Sequence, residues 1–221
     1  MPVPEDSASV ASQRENQAAS MQSRQGETTR FVVGLGNPSR QYARTRHNVG
    51  FRVLQELRRR WQLGEGRKAF SGRMNDARLA GPAGAAQRVI LLEPHTYMNR
   101  SGQAVREMVT FYKACPADVL MVLDDMALPS GRLRMRLGGS SGGHNGLSDV
   151  LSALGSEEVP RLRVGIGQPP PMADAADYVL SPFAPEETGV IEQAVVRAAQ
   201  AVEDWVFHGH SYVMDKYNPK E

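Results

Sequence analysis

The chain has 221 residues, of which 41% are hydrophobic and 23% charged, a composition that suits one globular domain and excludes collagen-like, coiled-coil and fully disordered chains. Its single cysteine, Cys115, rules out an internal disulfide, and no run of about 18 apolar residues is present to cross a membrane. The formal net charge of +2 conceals a basic segment, residues 30–136, in which 19 Lys and Arg face 8 acids; this asymmetry favours a polyanionic partner, although solvated faces alone can produce it.

The first 29 residues differ in composition from the rest of the chain. They are rich in Ser, Gln, Ala and Glu and hold almost no large apolar residue, so they cannot bury enough surface to offset the entropy lost on ordering. We therefore expect residues 1–29 to form a disordered N-terminal extension. No apolar stretch of a secretory signal follows the start, and four acidic residues disfavour an organelle transit peptide, so the expected location is cytoplasmic.

From Arg30 onwards, short apolar runs alternate with amphipathic stretches. Residues 31–33, Phe-Val-Val, predict a buried strand that ends in a tight turn at 34–38. Apolar residues at three- and four-residue spacing then predict a helix at 49–61. The elements predicted after it are a strand pair at 71–80 and 87–92 around a turn at 81–84, a helix at 101–112 and a buried strand at 119–123.

The second half of the chain continues this alternation. Leu133, Met135 and Leu137 alternate with arginines, which predicts an edge strand with one apolar and one basic face. The elements predicted after it are a glycine-rich loop at 138–146, a helix at 147–154, a strand at 162–166 and a helix at 187–206 whose apolar side includes Val190. Strands alternating with helices predict an α/β fold, a single domain over 30–221 with a mixed, mostly parallel, twisted sheet flanked by helices.

The first strand and turn resemble the start of a dinucleotide-binding fingerprint, but the pattern is incomplete. Ser39 stands where the third glycine belongs, and Pro38 interrupts the expected helix. The glycine-rich segments also lack the Lys-Ser or Lys-Thr pair of a phosphate-binding loop. The sequence therefore argues against NAD and nucleoside triphosphates as ligands.

Three polar residues lie at the ends of predicted elements, where ligands gather in open α/β folds. Asn37 follows the first strand, His47 precedes the first helix, and Asp124 follows a buried strand. A neutral imidazole can accept a proton from water, and a carboxylate can orient that imidazole and stabilise its protonated form. The alternatives are that His47 caps a helix or packs in the core, and that Asp124 and Asp125 start a turn or hold a metal, although no other group at metal-ligand spacing accompanies them.

Two further amides and four arginines complete the polar set. Asn99 precedes a helix and Asn145 lies in a glycine-rich motif; each offers a donor and an acceptor to a peptide backbone or an ester carbonyl, or caps a helix. The arginines repeat every two residues in two predicted strands, which predicts one basic face suited to phosphate oxygens, or a solvated edge protected by charge. They are Arg134, Arg136, Arg161 and Arg163.

Five blocks of sequence resemble the bacterial-type peptidyl-tRNA hydrolase family. Their order and spacing match from about Arg30 to the C-terminal helix. The resemblance implies a monomeric α/β enzyme, without metal or cofactor, that cleaves the ester between a nascent peptide and the 3′ ribose of tRNA and so recycles tRNA from stalled translation. The blocks are G-L-G-N-P-S-R-Q-Y-A-R-T-R-H-N-V-G (34–50), P-H-T-Y-M-N-R-S-G (94–102), V-L-D-D-M-A-L-P-S-G (122–131), R-M-R-L-G-G-S-S-G-G-H-N-G-L (134–147) and R-L-R-V-G-I-G (161–167).

The resemblance also implies a catalytic set centred on His47. His47 would be the general base that activates water for attack on the ester carbonyl, and Asp124 would orient it and hold its charge. Asn37 and Asn99 would position the peptide and polarise the carbonyl, and Asn145 would bind the peptide backbone or the attacking water. This set supplies the base, the orienting acid and the donors that ester hydrolysis requires.

Further residues are implied to bind the substrate. Tyr42 and Met98 would line the pocket near the terminal adenosine and the peptide. Arg136 and Arg163 would meet the 5′ phosphate and the acceptor stem of peptidyl-tRNA, which is the expected partner.

The chain departs from the family pattern at three positions. Arg136 stands where the family often has Lys and keeps the charge, whereas Ser148 stands where a second Lys is common and Ala127 where an Asp is common. The lost charge at Ser148 would place more of the tRNA affinity on the other arginines of the predicted basic face.

Two other functions are weighed against this one. An RNA-binding relative of the same fold, acting as a splicing factor in organelles without catalysis, is disfavoured by the complete catalytic set and by the lack of a transit peptide. A serine or cysteine hydrolase is disfavoured because Cys115 is followed by Pro116 at a helix end and no G-x-S-x-G elbow is present.

Overall fold

The protein is described by a computed structural model that defines residues 29–81 and 86–218. Except for residues 29 and 81 themselves, the predicted N-terminal extension (1–29) and the predicted turn (81–84) lie outside these described residues. Within the described ranges, no helix is both long enough and apolar enough to span a bilayer.

Strands and helices alternate through most of the described chain, and short 3₁₀ turns connect several of them. The main elements are β1 (Arg30–Gly34), α1 (Val49–Arg60), β2 (Arg67–Ala69), β3 (Gly72–Ala80), β4 (Ala86–Pro94), α2 (Ser101–Tyr112), β5 (Val119–Asp125), β6 (Leu133–Arg136), α3 (Asn145–Leu154), β7 (Arg161–Gly165), α4 (Ala175–Leu180) and α5 (Pro185–Tyr217). The 3₁₀ turns are Arg40–Tyr42, Arg46–Asn48, Met98–Arg100 and Pro116–Asp118.

The strands form one seven-stranded sheet in the order β2-β3-β4-β1-β5-β7-β6. The central strands β4, β1, β5 and β7 run parallel, whereas β2, β3 and β6 pair antiparallel towards the two edges. This mixed sheet in a single domain confirms the predicted fold class, and β6 is an edge strand as predicted. Because β1 and β5 are parallel neighbours, their carboxyl ends meet at the same edge of the sheet, where ligands bind in open α/β folds.

Helices cover both faces of the sheet and bury two apolar clusters. α1 and α5 pack on one face, and α2 and α3 pack on the other. Along β5, Val122 belongs to the cluster on the α1 side and Leu123 to the cluster on the α2 side. Since side chains alternate along a strand, Asp124 faces the α1 side and Asp125 the α2 side.

Two element boundaries near the edge differ from the prediction. β5 runs on to Asp125, so the paired acids belong to the strand and not to a turn after it. α3 begins at Asn145 and not at residue 147, because the His144 side chain caps the helix by accepting a hydrogen bond from the Leu147 N–H at 3.2 Å.

Other differences lie farther from that edge. β2 and α4 were not predicted, since three and six residues are too few to establish a period. The last helix reaches Tyr217, with an interruption at Gly209, whose φ of +79° is a conformation that glycine adopts without strain. The placement of Leu137 and Val190 on apolar faces was wrong: both are about half exposed, because β6 ends at residue 136 and the buried side of α5 begins at Ile191.

Candidate active site

His47 and Asp124 form the centre of the site. His47 lies in the 3₁₀ turn that leads into α1, and Asp124 lies at the carboxyl end of β5. Both side chains are buried, and Nδ1 of His47 is 2.8 Å from Oδ1 and 3.0 Å from Oδ2 of Asp124. An ionised carboxylate only accepts hydrogen bonds, so we assign the proton to Nδ1, which leaves the lone pair of Nε2 for a ligand.

A second histidine, His144, shares the same carboxylate. Its Nε2 lies 3.0 Å from Oδ1 of Asp124, and its ring centroid is 4.8 Å from that of His47. Because Nδ1 of His144 accepts the Leu147 N–H, Nε2 carries the proton and donates it to Asp124. No role was predicted for His144 from the sequence, although its position next to Asn145 in the glycine-rich motif was a signal that could have identified it.

The two histidines determine the charge state of Asp124. Complete burial by itself raises the pKa of Asp124, but the contacts of His144, and then those of His47, outweigh burial and hold this pKa well below its usual range. Asp124 is therefore ionised at neutral pH, and one buried negative charge serves two imidazoles.

Asn37 is held rigidly at the end of β1. Its backbone N–H donates to Oδ1 of Asn48 at 2.8 Å, and Nδ2 of Asn48 donates to the Asn37 carbonyl oxygen at 3.0 Å. The side-chain Oδ1 of Asn37 accepts the Met98 N–H at 2.9 Å. Nδ2 of Asn37 has no hydrogen-bond partner among the described residues, so this donor remains for a ligand in the cavity that Asn37 shares with His47.

A cavity of about 520 Å³ opens on one side of His47. Residues from distant parts of the chain form its wall, and they include each of the remaining pocket residues named from the sequence. These are Tyr42, Met98, Asn99 and Asn145. Met98 is buried, whereas Asn99 and Asn145 are exposed amides at the starts of α2 and α3. The structure thus brings the predicted amides, the predicted apolar contacts and His47 to one cavity.

A second cavity of about 460 Å³ lies on the other side of His47. Its lining includes Asp124, the glycine-rich loop at 141–145 and Arg163. Ala176 and Val179 of α4 line both cavities. α4, which was not predicted from the sequence, therefore forms a wall that both cavities share beside His47.

Arg46, in the turn that carries His47, contacts residues of α4, of the loop after it and of the start of α5. Its guanidinium lies 4.4 Å from the ring centroid of Tyr178 and 4.7 Å from that of Phe183. It also donates to both carboxylate oxygens of Glu187, at 3.2 and 2.8 Å. Stacking combined with a two-pronged ion pair is a geometry that arginine, unlike lysine, can satisfy.

The predicted arginine face exists as a pairing of β6 with β7. Arg134 lies directly opposite Arg163, and Arg136 opposite Arg161, so the four side chains share one face of the sheet. Arg136 is exposed and Arg134 is partly buried. Arg163 is partly exposed in the second cavity, and its Nε lies 2.9 Å from Oδ2 of Asp125.

Arg161 does not fit the predicted phosphate contact. It is only 3% exposed, and its guanidinium donates to four backbone carbonyl oxygens at 2.6 to 3.3 Å. The acceptors belong to Val159, Gly139, Ser140 and Glu157. Burial, and to a lesser extent the charge of Arg163, lowers the pKa of Arg161. Arg161 therefore anchors the glycine-rich loop through its bonds to Gly139 and Ser140. The sequence did not predict this, because spacing of two residues in a strand determines which face a side chain lies on but not whether it is exposed.

A metal could be held by His47, Asp124 and His144, whose ligand atoms all lie within 4.8 Å of one another. In the structure, Nδ1 of His47 and Nε2 of His144 lie 2.8 and 3.0 Å from Oδ1 of Asp124, which are hydrogen-bond distances. A metal would have to displace the proton from each of these nitrogens. The arrangement is therefore that of a hydrogen-bonded network suited to proton transfer.

Comparisons with known proteins show which family the chain belongs to. The sequence profile of the family described as peptidyl-tRNA hydrolase matches residues 31–221. The peptidyl-tRNA hydrolase of Chloroflexus aggregans is 48% identical over 190 residues, 86% of this chain and 98% of the relative, and that of a Synechocystis species is 44% identical over 193 residues, 87% and 97%. The crystal structure of peptidyl-tRNA hydrolase from Acinetobacter baumannii matches with a TM-score of 0.77 at 32% identity, covering 87% of this chain and 96% of that one. The chain therefore belongs to the peptidyl-tRNA hydrolase family.

Proposed function

We propose that this chain hydrolyses the ester bond between a peptide and the 3′ ribose of tRNA, with His47 as the general base. The observation that carries the proposal is the 2.8 Å contact between Nδ1 of His47 and Asp124, made by a member of this family. The contact leaves Nε2 as the proton acceptor, and the ionised carboxylate stabilises the imidazolium that forms.

The reaction needs one water molecule and no other reactant. Nε2 of His47 removes a proton from the water as the water oxygen bonds to the ester carbonyl carbon. The resulting tetrahedral intermediate carries its negative charge on the former carbonyl oxygen. When the bond between that carbon and the 3′ oxygen breaks, His47 returns its proton to the ribose oxygen. The products are free tRNA and a peptide with a carboxyl terminus.

The amides are assigned to the reacting ester. Nδ2 of Asn37, fixed by the Asn48 and Met98 contacts, donates to the carbonyl oxygen as charge develops on it. Asn99 and Asn145, at the rim of the same cavity, bind the peptide backbone or the attacking water. Tyr42 contacts the terminal adenosine or the first peptide residue.

Phosphate binding is assigned to the three arginines of the β6–β7 pair that are exposed or partly exposed. Arg134, Arg136 and Arg163 present guanidinium groups on one face, and Arg163 lines a cavity with His47. Arg161 is assigned to the loop and not to the RNA, because it is buried and its guanidinium donates to four backbone carbonyls.

The role of His47 as the base is tested by measuring the release of free tRNA from peptidyl-tRNA by the variants His47→Ala and Asp124→Asn. We expect each variant to lose at least about a hundredfold in kcat, the usual contribution of a positioned base, while the far-UV circular dichroism spectrum is retained. His208→Ala is the matched control, because His208 is exposed on α5 on the other side of the molecule from the two cavities, and it should keep full activity. Turnover near the wild-type value by folded His47→Ala would refute the mechanism.

The same experiment separates hydrolysis from RNA binding alone. A gel shift with structured intron RNA, run beside the hydrolysis assay, distinguishes the two functions. Binding of that RNA without tRNA release by the wild-type chain would support the non-catalytic splicing role.

The monomeric state and the cytoplasmic location remain predictions under this proposal. Peptidyl-tRNA is a large, single substrate, and both cavities are formed by residues of one chain. Light scattering on a size-exclusion column should therefore give the mass of one chain, 24.2 kDa.

A further inference from the structure

A polar groove leaves the larger cavity between α2 and α3. Asn99 and Asn145 line both that cavity and the first part of the groove, about 470 Å³, which continues past Ser148 and Ser152. The outer part, about 250 Å³, shares Ser152 with the first part. Shared lining residues therefore connect the cavity beside His47, through the first part of the groove, to the outer part at Arg106.

Two exposed arginines line the groove on the α2 side, one at the end of the 3₁₀ turn before α2 and one within α2. Arg100 and Arg106 are exposed, and neither makes an ion pair or a side-chain hydrogen bond within residues 29–81 and 86–218. The exposed Arg59 of α1 differs in this respect, because Glu56 binds it at 2.8 Å. Open guanidinium groups beside a cavity are available for a ligand with negative charge.

The opposite wall offers hydroxyl groups and one acid. Ser148 and Ser152 lie one helical turn apart on α3. Asp149 lies between them and faces the groove, but its Oδ2 accepts the Gly102 N–H at 2.6 Å at the start of α2. With two arginines and one acid, the charge facing the groove is positive.

We propose that this groove binds the sugar–phosphate backbone of the single-stranded 3′ end of the substrate RNA. The proposal rests on the proposed function, which places the reacting ester beside His47. Arg100 and Arg106 are six residues apart, about 9 Å along the helix axis, so they contact different phosphates of one strand. Ser148 and Ser152 donate to phosphate or ribose oxygens from the other wall.

The lining favours RNA over the peptide part of the substrate. Arginine, serine, glutamine and aspartate side chains dominate the outer groove, with Ala153 as its apolar residue. Peptide side chains of varied sequence would gain little from such a surface, whereas phosphates repeat along every tRNA. Contacts of this kind add affinity without reading the base sequence.

The test is Arg106→Gln, with Arg197→Gln as the matched control. Arg197 is exposed on α5, on the other face of the sheet, and its replacement changes the net charge equally. We expect Arg106→Gln to raise KM for peptidyl-tRNA about three- to tenfold with kcat unchanged, and to reduce the slope of log KM against log salt concentration by about 0.7. Arg197→Gln should change neither quantity.

A short substrate identifies the occupant. An acylaminoacyl ester of adenosine lacks the preceding phosphates, so Arg106→Gln and the wild type should hydrolyse it equally. An effect that persists with this ester and grows with acidic peptides would assign the groove to the peptide and overturn the proposal, as would unchanged KM and salt slope with peptidyl-tRNA. Failure of the wild type to release tRNA from peptidyl-tRNA would instead refute the function of the His47 site.

Discussion

Asp124 is the residue on which the site depends, because one buried carboxylate accepts hydrogen bonds from two imidazoles. His47 and His144 approach it at 2.8 and 3.0 Å, both on Oδ1. Removing either donor leaves a buried charge with one partner fewer, and such a loss costs more than the net gain of an average hydrogen bond. We therefore infer that His144 positions Asp124, without its ring having to touch the substrate.

His144→Asn separates this role from helix capping. Asparagine is a good N-cap, so the variant keeps the bond to the Leu147 N–H, but its side chain is too short to reach Asp124. We expect kcat to fall about ten- to a hundredfold, the equivalent of one hydrogen bond to a charge. The pKa of Asp124 should rise, because the contacts of His144 are the largest of those that oppose burial and lower it.

His144→Ala is the control for this prediction. It loses the cap as well as the Asp124 contact, so it should also lose about 1 kcal/mol of unfolding free energy in urea. Full activity in His144→Asn would show that His144 is a helix cap only.

The sequence predicted which residues meet at the site better than it predicted their exposure. Asn37, His47 and Asp124 were identifiable because each lies next to the end of an element, and parallel strands bring such ends together. Arg161 was assigned to phosphate because its spacing fixed its face, but burial depends on the glycine-rich loop that folds over it. His144 was overlooked because its two partners, Asp124 and the Leu147 N–H, come together only in the folded chain.

Among the elements, the C-terminal part of α5 has a role that its sequence did not indicate. After the interruption at Gly209, it returns to the preceding segment through Tyr217, whose hydroxyl donates to Oδ2 of Asp204 at 2.7 Å. The next residue, Asn218, accepts the Met135 N–H at 2.7 Å and donates to the Met135 carbonyl at 3.2 Å. The edge strand β6, to whose arginines we assign phosphate binding, is thus held by the end of the last helix.

Tyr217→Phe should weaken this attachment. The change removes a buried donor to an ionised carboxylate, so we expect a loss of about 1.5–3 kcal/mol in the free energy of unfolding, measured in urea. Tyr212→Phe is the matched control: Tyr212 is exposed, and its hydroxyl is 3.5 Å from Nζ of Lys216, so its loss should cost less than about 0.5 kcal/mol. Equal stability of the two variants would show that the Asp204 contact does not hold the segment.

Elements with a long apolar period were predictable, and elements defined by contacts were not. α1 and α2 match their predicted limits within a residue because their buried side chains recur at helical spacing. α4 has six residues and one buried side chain, so only its packing beside Arg46 reveals it. The length of α5 was underestimated because Gly209 interrupts the pattern, and the helix resumes through tertiary contacts.

For the molecule as a whole, folding redistributes the charge of the basic segment 30–136. Arg46 pairs with Glu187 and Arg60 with Glu203, so acids of α5 neutralise the face covered by α1 and α5. Arg106 and Arg134 make no ion pair within the part of the chain that the structure describes, and both lie on the face covered by α2 and α3. A net charge of only +2 is thus compatible with RNA binding on the face covered by α2 and α3.

These ion pairs also make the stability of the whole fold sensitive to acid. A hydrogen bond from Arg59, stronger than the opposing effect of burial, holds the pKa of Glu56 at about 2. Burial raises the pKa of Glu187, but the hydrogen bond and charge of Arg46 outweigh it and lower this pKa. Each of these two carboxylates therefore binds a proton less readily in the folded state than in the unfolded chain.

Unfolding in urea at a series of pH values measures the consequence. Because the unfolded chain takes up more protons below about pH 5, the stabilisation from these carboxylates should be complete above that pH and fall steadily towards about pH 3. Glu187→Gln removes one such group, so the variant should be less stable than the wild type at pH 7 and lose less on acidification. Glu158→Gln, at an exposed acid outside these ion pairs, should follow the wild-type curve. A wild-type stability that is flat from pH 6 to pH 3 would show that the ion pairs of Glu56 and Glu187 do not stabilise the fold.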